Sequence, residues 1–238
     1  MTNPSPDSAP KPADDRGVRN LVQRVLAALV LIPLALGVAY AGGWLWVGLV
    51  TLVSVGLFLE WRGIVGQRPG WLAIGLVYAL AALAASVLVR RDAEWGFAAL
   101  IFILLIVWLT DIGGYAFGRT IGGPKLWPRV SPKKTWAGAI GGTVLSILVA
   151  VGFARYGFGN LLPLVLIAVV LTVLSQIGDL FESAVKRRFG VKDSGQIIPG
   201  HGGLLDRLDG YVFAVVAAAV IGLMRGGADG VGRGLMVW

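Results

Sequence analysis

The residues best suited to chemistry in this sequence are acids set inside or beside long apolar stretches. In LTVLSQIGDLFESAVKRRFG, Ser175, Asp179, Glu182, Ser183 and Lys186 recur at spacings of three and four, which puts them on one face of a helix. A carboxylate inside a mostly apolar span is costly and faces a protein interior or an aqueous cavity. Asp206 and Asp209 in LLDRLDG stand three apart and share a face where the next helix opens, and Asp111 closes an earlier helix in WLTDIGGYAFGR. Asp111, Asp179, Asp206 and Asp209, four carboxylates near helix ends beside an excess of Lys and Arg, suit Mg²⁺, a hard cation held by one or two carboxylates while it keeps water and phosphate oxygens. The basic residues then hold a polyanion. Lys133 and Lys134 in SPKKTWAG neutralise phosphates as point charges, and the glycine pairs Gly122-Gly123 or Gly202-Gly203 let backbone amides approach a phosphate closely.

Each feature has a plainer reading. Lys186, Arg187 and Arg188 on their own are ordinary positive flanks of a membrane helix. Asp206 on its own is a negative charge in the first turn of a helix, where the macrodipole favours it. His201, the one histidine, lies between glycines, and a structural hydrogen bond there is as good a reading as phosphate contact or acid chemistry. Asp179 resists such a reading because it falls within a helix. Gly141-Gly142 reads as a helix-packing site.

The elements that position these residues follow from composition. Of 238 residues, 56% are hydrophobic and 14% charged, against roughly 25% charged in an ordinary soluble domain, which excludes a plain globular enzyme. Asp, Glu, Lys and Arg are absent from 25–59, 69–89, 95–110, 135–154, 156–178 and 210–224. Segments of this kind are membrane spans of an all-α polytopic protein. The first is too long for one crossing, so it must fold back at Gly42-Gly43. The pattern predicts seven transmembrane helices, at about 22–41, 44–60, 71–89, 95–111, 136–154, 161–180 and 209–225, the fourth and seventh being short. Residues 1–20 read as a disordered cytoplasmic tail and 21–238 as a single transmembrane catalytic domain. With the N-terminus in the cytoplasm, sixteen Lys and Arg fall on the cytoplasmic side and five on the other, the bias expected of that orientation. The same bias accounts for the net charge of +8 without nucleic acid. Absence of cysteine excludes disulfides, thiolate metal sites and a Cys nucleophile.

The run SAVKRRFGVKDSGQIIPGHGGLLDRLD resembles the signature of phosphatidate cytidylyltransferases, the CDP-diacylglycerol synthases. It does so at Ser183, Lys186, Arg187, Lys192, Asp193, Gly195, Pro199, His201, Gly202, Gly203, Asp206, Arg207 and Asp209. WLTDIGGYAFGR, SPKKTWAGAIGG and SQIGDLFES resemble that family too, so the likeness covers about residues 100–215. Ala137 stands where the family often has an acid or amide, and is given no role.

The resemblance implies Mg²⁺-dependent transfer of CMP from CTP to phosphatidic acid, giving CDP-diacylglycerol and pyrophosphate in phospholipid synthesis. It implies an integral bacterial plasma or inner membrane protein that forms homodimers and whose cavity faces the cytoplasm. Metal ligands matching Asp179 and Asp206 are implied, with a monovalent cation such as K⁺ beside them. Phosphatidate already carries an anionic oxygen near neutral pH, since a phosphate monoester has a second pKa of about 6, so positioning and charge neutralisation are the main tasks. The expected site therefore has Asp179 and Asp206 on Mg²⁺, with Asp209 and Asp111 in support. Lys133, Lys134, Lys186, Arg187, Lys192 and Arg207 stabilise the phosphates, and Ser131, Asp193, His201, Gly202 and Gly203 complete the binding and catalytic set. Two rivals stand: a CTP-using lipid kinase, and a cation-coupled transporter, against which the gathering of charge on one face of the membrane argues.

Overall fold

The computed structural model describes residues 29–195 and 202–238. The expected tail over 1–20, the start of the first predicted helix, Pro199 and His201 lie outside them. The described chain runs α1 (Leu29–Ala41), α2 (Gly43–Val65), α3 (Pro69–Arg91), α4 (Gly96–Thr120), a hairpin of β1 (Lys125–Trp127) and β2 (Ser131–Thr135), then α5 (Trp136–Arg155), α6 (Leu161–Arg188), α7 (Leu205–Gly226) and α8 (Val231–Met236). Six of these helices, α2 to α7, are long and apolar enough to cross a membrane, and α1 is a shorter apolar helix. The all-α integral membrane architecture expected from the charge-free segments is therefore the observed one.

The break at Gly42-Gly43 is where the sequence requires it. Both residues take positive φ, 66° and 56°, a region open to glycine at little cost. Arg90 of α3 reaches back to this corner and donates from Nε to the Ala39 carbonyl at 2.5 Å and from Nη2 to the Tyr40 carbonyl at 2.7 Å. Helix-terminal carbonyls that have no intrahelical partner are satisfied in this way.

The helices are longer than the charge-free segments. α2 continues to Val65, α4 to Thr120 and α6 to Arg188, and α7 begins at Leu205. The predicted fourth and seventh spans were too short for this reason: α4 has 25 residues and α7 has 22. A gap in charge marks only the apolar part of a helix, whereas Arg, Lys and Glu are good helix formers that carry the same helix on into water. The segment 112–135, left between the fourth and fifth predicted spans, contains the end of α4 and the antiparallel hairpin, paired Lys125 to Thr135 and Trp127 to Ser131.

Lipid chains are as apolar as leucine, so helices in a membrane associate through close backbone approach and interhelical hydrogen bonds. The α4–α5 seam shows both. A Cβ at Gly142 would lie 2.7 Å from the Thr110 carbonyl, and one at Gly138 would lie 2.5 Å from the Gly114 carbonyl, so the packing role expected of the Gly141-Gly142 pair is observed. Buried hydroxyls then join three helices: Thr110 Oγ1 lies 3.0 Å from Ser146 Oγ of α5 and 3.4 Å from Thr172 Oγ1 of α6. This cluster fixes the backbone of α4 next to Asp111. Thr135 begins α5 by accepting from the Gly138 amide at 3.1 Å, an N-cap that ties the hairpin to the helix.

Candidate active site

One end of the bundle gathers the acids and the hairpin. Asp111 projects from α4, Asp179 from α6, and Asp206 and Asp209 from the first two turns of α7. Two cavities open around them. The first, about 560 Å³, is lined by Asp111, Asp179, Arg119, Lys133, Lys134 and apolar or small residues of α4, α5 and the hairpin. The second, about 540 Å³, is lined by Asp111, Asp179, Glu182, Ser183, Lys186, Asp193, Gly202, Asp206, Arg207 and Asp209. Asp111 and Asp179 belong to both. A basic cavity with an apolar wall thus meets a strongly acidic one at two carboxylates.

The charges are interlocked. Lys134 of β2 forms an ion pair with Asp179 Oδ2, and Ser183 Oγ stands 3.5 Å from Asp179 Oδ1. Asp179 repels Asp111 and Asp209, and Lys134 attracts both. Lys186 bridges Glu182 Oε2 at 2.7 Å and Asp206 Oδ1 at 2.5 Å. Asp206 Oδ2 accepts from the Ser194 amide at 3.1 Å, while Asp209 Oδ1 accepts from the Gly210 amide at 2.8 Å. Asp206 is therefore engaged by the protein on both oxygens, as Asp179 is by Lys134 and Ser183, and Asp111, Asp179 and Asp209 form a mutually repelling group.

The donor set suits a hard cation. Every candidate ligand is a carboxylate oxygen, contributed from α4, α6 and α7. No three of the described Asp, Glu or His side chains form a ready metal cage, and an ion that retains water and takes phosphate oxygens needs only one or two carboxylates.

The structure brings together most of the residues singled out in the sequence. Lys133 and Lys134 line the basic cavity; Lys186, Asp193, Gly202, Asp206, Arg207 and Asp209 line the acidic one; Asp111 and Asp179 line both. Others stand aside. Arg187 Nε donates to the Val130 carbonyl at 3.4 Å and so braces the hairpin. Lys192 is exposed, Ser131 pairs with Trp127 in the hairpin, and Gly203 is buried against Ser194. His201 is outside the described residues.

Some neighbours of the site escaped the sequence reading. Arg119 and Tyr115 line the basic cavity, and Arg119 Nη1 donates to Tyr115 Oη at 2.7 Å; their spacing of four on a helix was the available signal. Gln176 lines it too and donates to the Ala139 carbonyl at 3.3 Å. Glu60, at the end of the first charge-free segment, was read only as the limit of a span. It is 4% exposed and lies behind Asp206.

The sequence profile of the cytidylyltransferase family matches residues 65–224. A protein of Brucella suis biovar 1 named phosphatidate cytidylyltransferase is 47% identical over 179 residues, covering 73% of this chain and 63% of its own. One of that name from Staphylococcus epidermidis is 50% identical over 122 residues, covering 50% and 47%. One from Rickettsia bellii is 34% identical over 213 residues, covering 84% and 90%. The chain thus spans a little under two thirds of the Brucella relative's length and most of the Rickettsia relative's.

Proposed function

Because this chain belongs to the cytidylyltransferase family, we propose that it transfers the cytidylyl group of CTP to phosphatidic acid, the activity printed in its relatives' names. The observation that carries the reading is the junction of a basic and an acidic cavity at Asp111 and Asp179. Two polyanions must meet in such a reaction; the basic side chains here would balance their phosphates, and the carboxylates would hold a divalent cation.

In the proposed step, an anionic oxygen of the phosphatidate monoester attacks the α-phosphorus of CTP. A new P–O bond forms, the bond from the α-phosphorus to the bridging oxygen breaks, and its electrons leave with pyrophosphate. No proton need be removed from a nucleophile already ionised at neutral pH. Lys133 and Lys134 neutralise phosphate charge on one side of the junction, and Arg207 does so on the other. Lys186 keeps Asp206 and Glu182 in place between α6 and α7.

Mg²⁺ is assigned to Asp179 and Asp206, with Asp111 and Asp209 in support. When bound, it would neutralise the triphosphate and make pyrophosphate a better leaving group. A monovalent cation such as K⁺ is proposed in the same carboxylate group. Acyl chains stay in the bilayer while the headgroup enters between helices. The reading extends to a bacterial plasma or inner membrane with the site facing the cytoplasm, supported by the sixteen-to-five bias of basic residues toward that side, and to a homodimer, on the family resemblance alone.

The test is incorporation of labelled CTP into lipid by the purified chain in liposomes. Product that requires phosphatidate and a divalent cation supports the proposal. Uptake of a solute into sealed vesicles without CTP consumption would replace it with a transporter.

A further inference from the structure

Glu60 stands in α2, ahead of the stretch that the family profile covers. Its side chain is buried, and what it touches is the chain entering α7. Oε1 accepts from the Leu204 amide at 2.9 Å; Oε2 accepts from the Leu205 amide at 2.8 Å and from Ser194 Oγ at 3.0 Å. Its three partners lie more than 130 residues away in sequence. α7 has no side-chain cap of its own, since Leu204 occupies the N-cap position. The amides that a helix start leaves unpaired are thus satisfied from another helix, by a negative group where the macrodipole favours one.

Ser194 carries the contact on to the site. Its hydroxyl donates to Glu60 and its amide donates to Asp206 Oδ2, whose other oxygen meets Lys186. Glu60, Ser194, Asp206 and Lys186 therefore form one polar chain from α2 to α6 across the first turn of α7. The glycines around it are shaped to Glu60. A Cβ at Gly195 would stand 2.8 Å from Glu60 Oε1, and one at Gly203 would stand 2.9 Å from Oε2 and 1.7 Å from Ser194 Oγ. Gly203 is thus required by the close approach of the Ser194 hydroxyl and the Glu60 carboxylate.

We infer that Glu60 is a positioning residue for the active site: it clamps 194–195 and 203–205 to α2 and thereby fixes where Asp206 and the start of α7 stand. The inference rests on the proposed function in taking Asp206 to be part of the site. Glu60 touches no reacting atom; it acts through Ser194 and the α7 backbone.

The experiment compares full-length wild type with Glu60→Gln, Glu60→Ala and Ser194→Ala, in detergent, by amide hydrogen exchange and by CTP kinetics per folded molecule. Gln keeps one accepting oxygen and turns an amide group toward an N–H donor; Ser194→Ala removes one arm only. Exchange at Leu204 and Leu205 should quicken by roughly tenfold to a hundredfold in both Glu60 variants, the effect of losing hydrogen bonds to a charged group. In the same variants kcat should fall at least about tenfold with KM for CTP little changed, as misplacement of reacting groups lowers turnover. Ser194→Ala should fall between them and wild type. Unchanged exchange at Leu204 and Leu205, or a normal kcat in Glu60→Gln, overturns the inference. If Glu60→Ala does not fold, the Gln and Ser194 variants decide it. A wild type without CTP activity sinks the proposed function, and the exchange comparison then still decides whether Glu60 holds the loop.

Discussion

Lys186 Nζ lies 2.5 Å from Asp206 Oδ1, and this contact joins the polar end of α6 to the first turn of α7. One turn back on α6, Glu182 Oε2 meets the same ammonium at 2.7 Å. The lysine thus sits between two acids, one of them almost fully buried, and its charge is needed to keep both where they are.

Lys186→Met should lower stability by about 3 kcal/mol or more, because removing one partner of a buried ion pair leaves the other uncompensated. Adding Glu182→Gln should recover much of that loss by removing the buried charge, while activity stays low because Asp206 is still unpaired on that side. Thermal unfolding in detergent, read beside CTP incorporation, checks both; a double variant no more stable than the single would contradict the assignment.

Asp179→Asn should reduce CTP incorporation by about a hundredfold or more, the scale of losing a central electrostatic group, with little change in unfolding temperature because Asp179 is partly exposed. Lys133→Ala combined with Lys134→Ala should raise KM for CTP at least about tenfold, since charge-assisted contacts contribute about 1.5 to 3 kcal/mol each. Retained CTP affinity in that double variant would remove the hairpin lysines from nucleotide binding.

Stripping divalent cations with a chelator should abolish product formation, and Mg²⁺ should restore it. Asp111→Asn and Asp209→Asn should each raise the Mg²⁺ concentration needed for half activity, because both carboxylates stand near Asp179. An unchanged Mg²⁺ requirement in both variants would confine the metal to Asp179 and Asp206.

Gly142→Val should destabilise the protein by about 1 to 3 kcal/mol, the usual cost of overpacking a close contact, because even its Cβ would lie 2.7 Å from the Thr110 carbonyl. The residue after Thr110 is Asp111, so activity should fall further than the folded fraction does. Unfolding curves paired with kinetics separate the two effects.

The sequence made the membrane spans, the turn at Gly42-Gly43 and the acid face of α6 legible, because each rests on local pattern: runs without charge, a glycine pair, and spacings of three and four. Helix ends were less legible. Lys186 and Arg188 extend α6 beyond its apolar part, and nothing in a charge count distinguishes a helical lysine from one in a loop. The hairpin at 125–135 left no such pattern: its strands are short and Pro132, within one of them, has no amide to donate to a ladder. Glu60 was hidden for a different reason. Its partners are Ser194, Leu204 and Leu205, and two of these contribute only backbone amides, so no pattern of residue types marks the contact.

In the proposed reaction the α-phosphate of CTP, with its nucleoside, passes to phosphatidate at the junction held by Asp111 and Asp179. The most direct measurement gives the purified chain phosphatidate and CTP labelled at either the α- or the γ-phosphate and follows label into lipid. Label should enter lipid from α-labelled CTP only, with pyrophosphate released in equal amount and both lost in Asp179→Asn. Label in lipid from γ-labelled CTP, with CDP released instead of pyrophosphate, would contradict it and make the protein a lipid kinase.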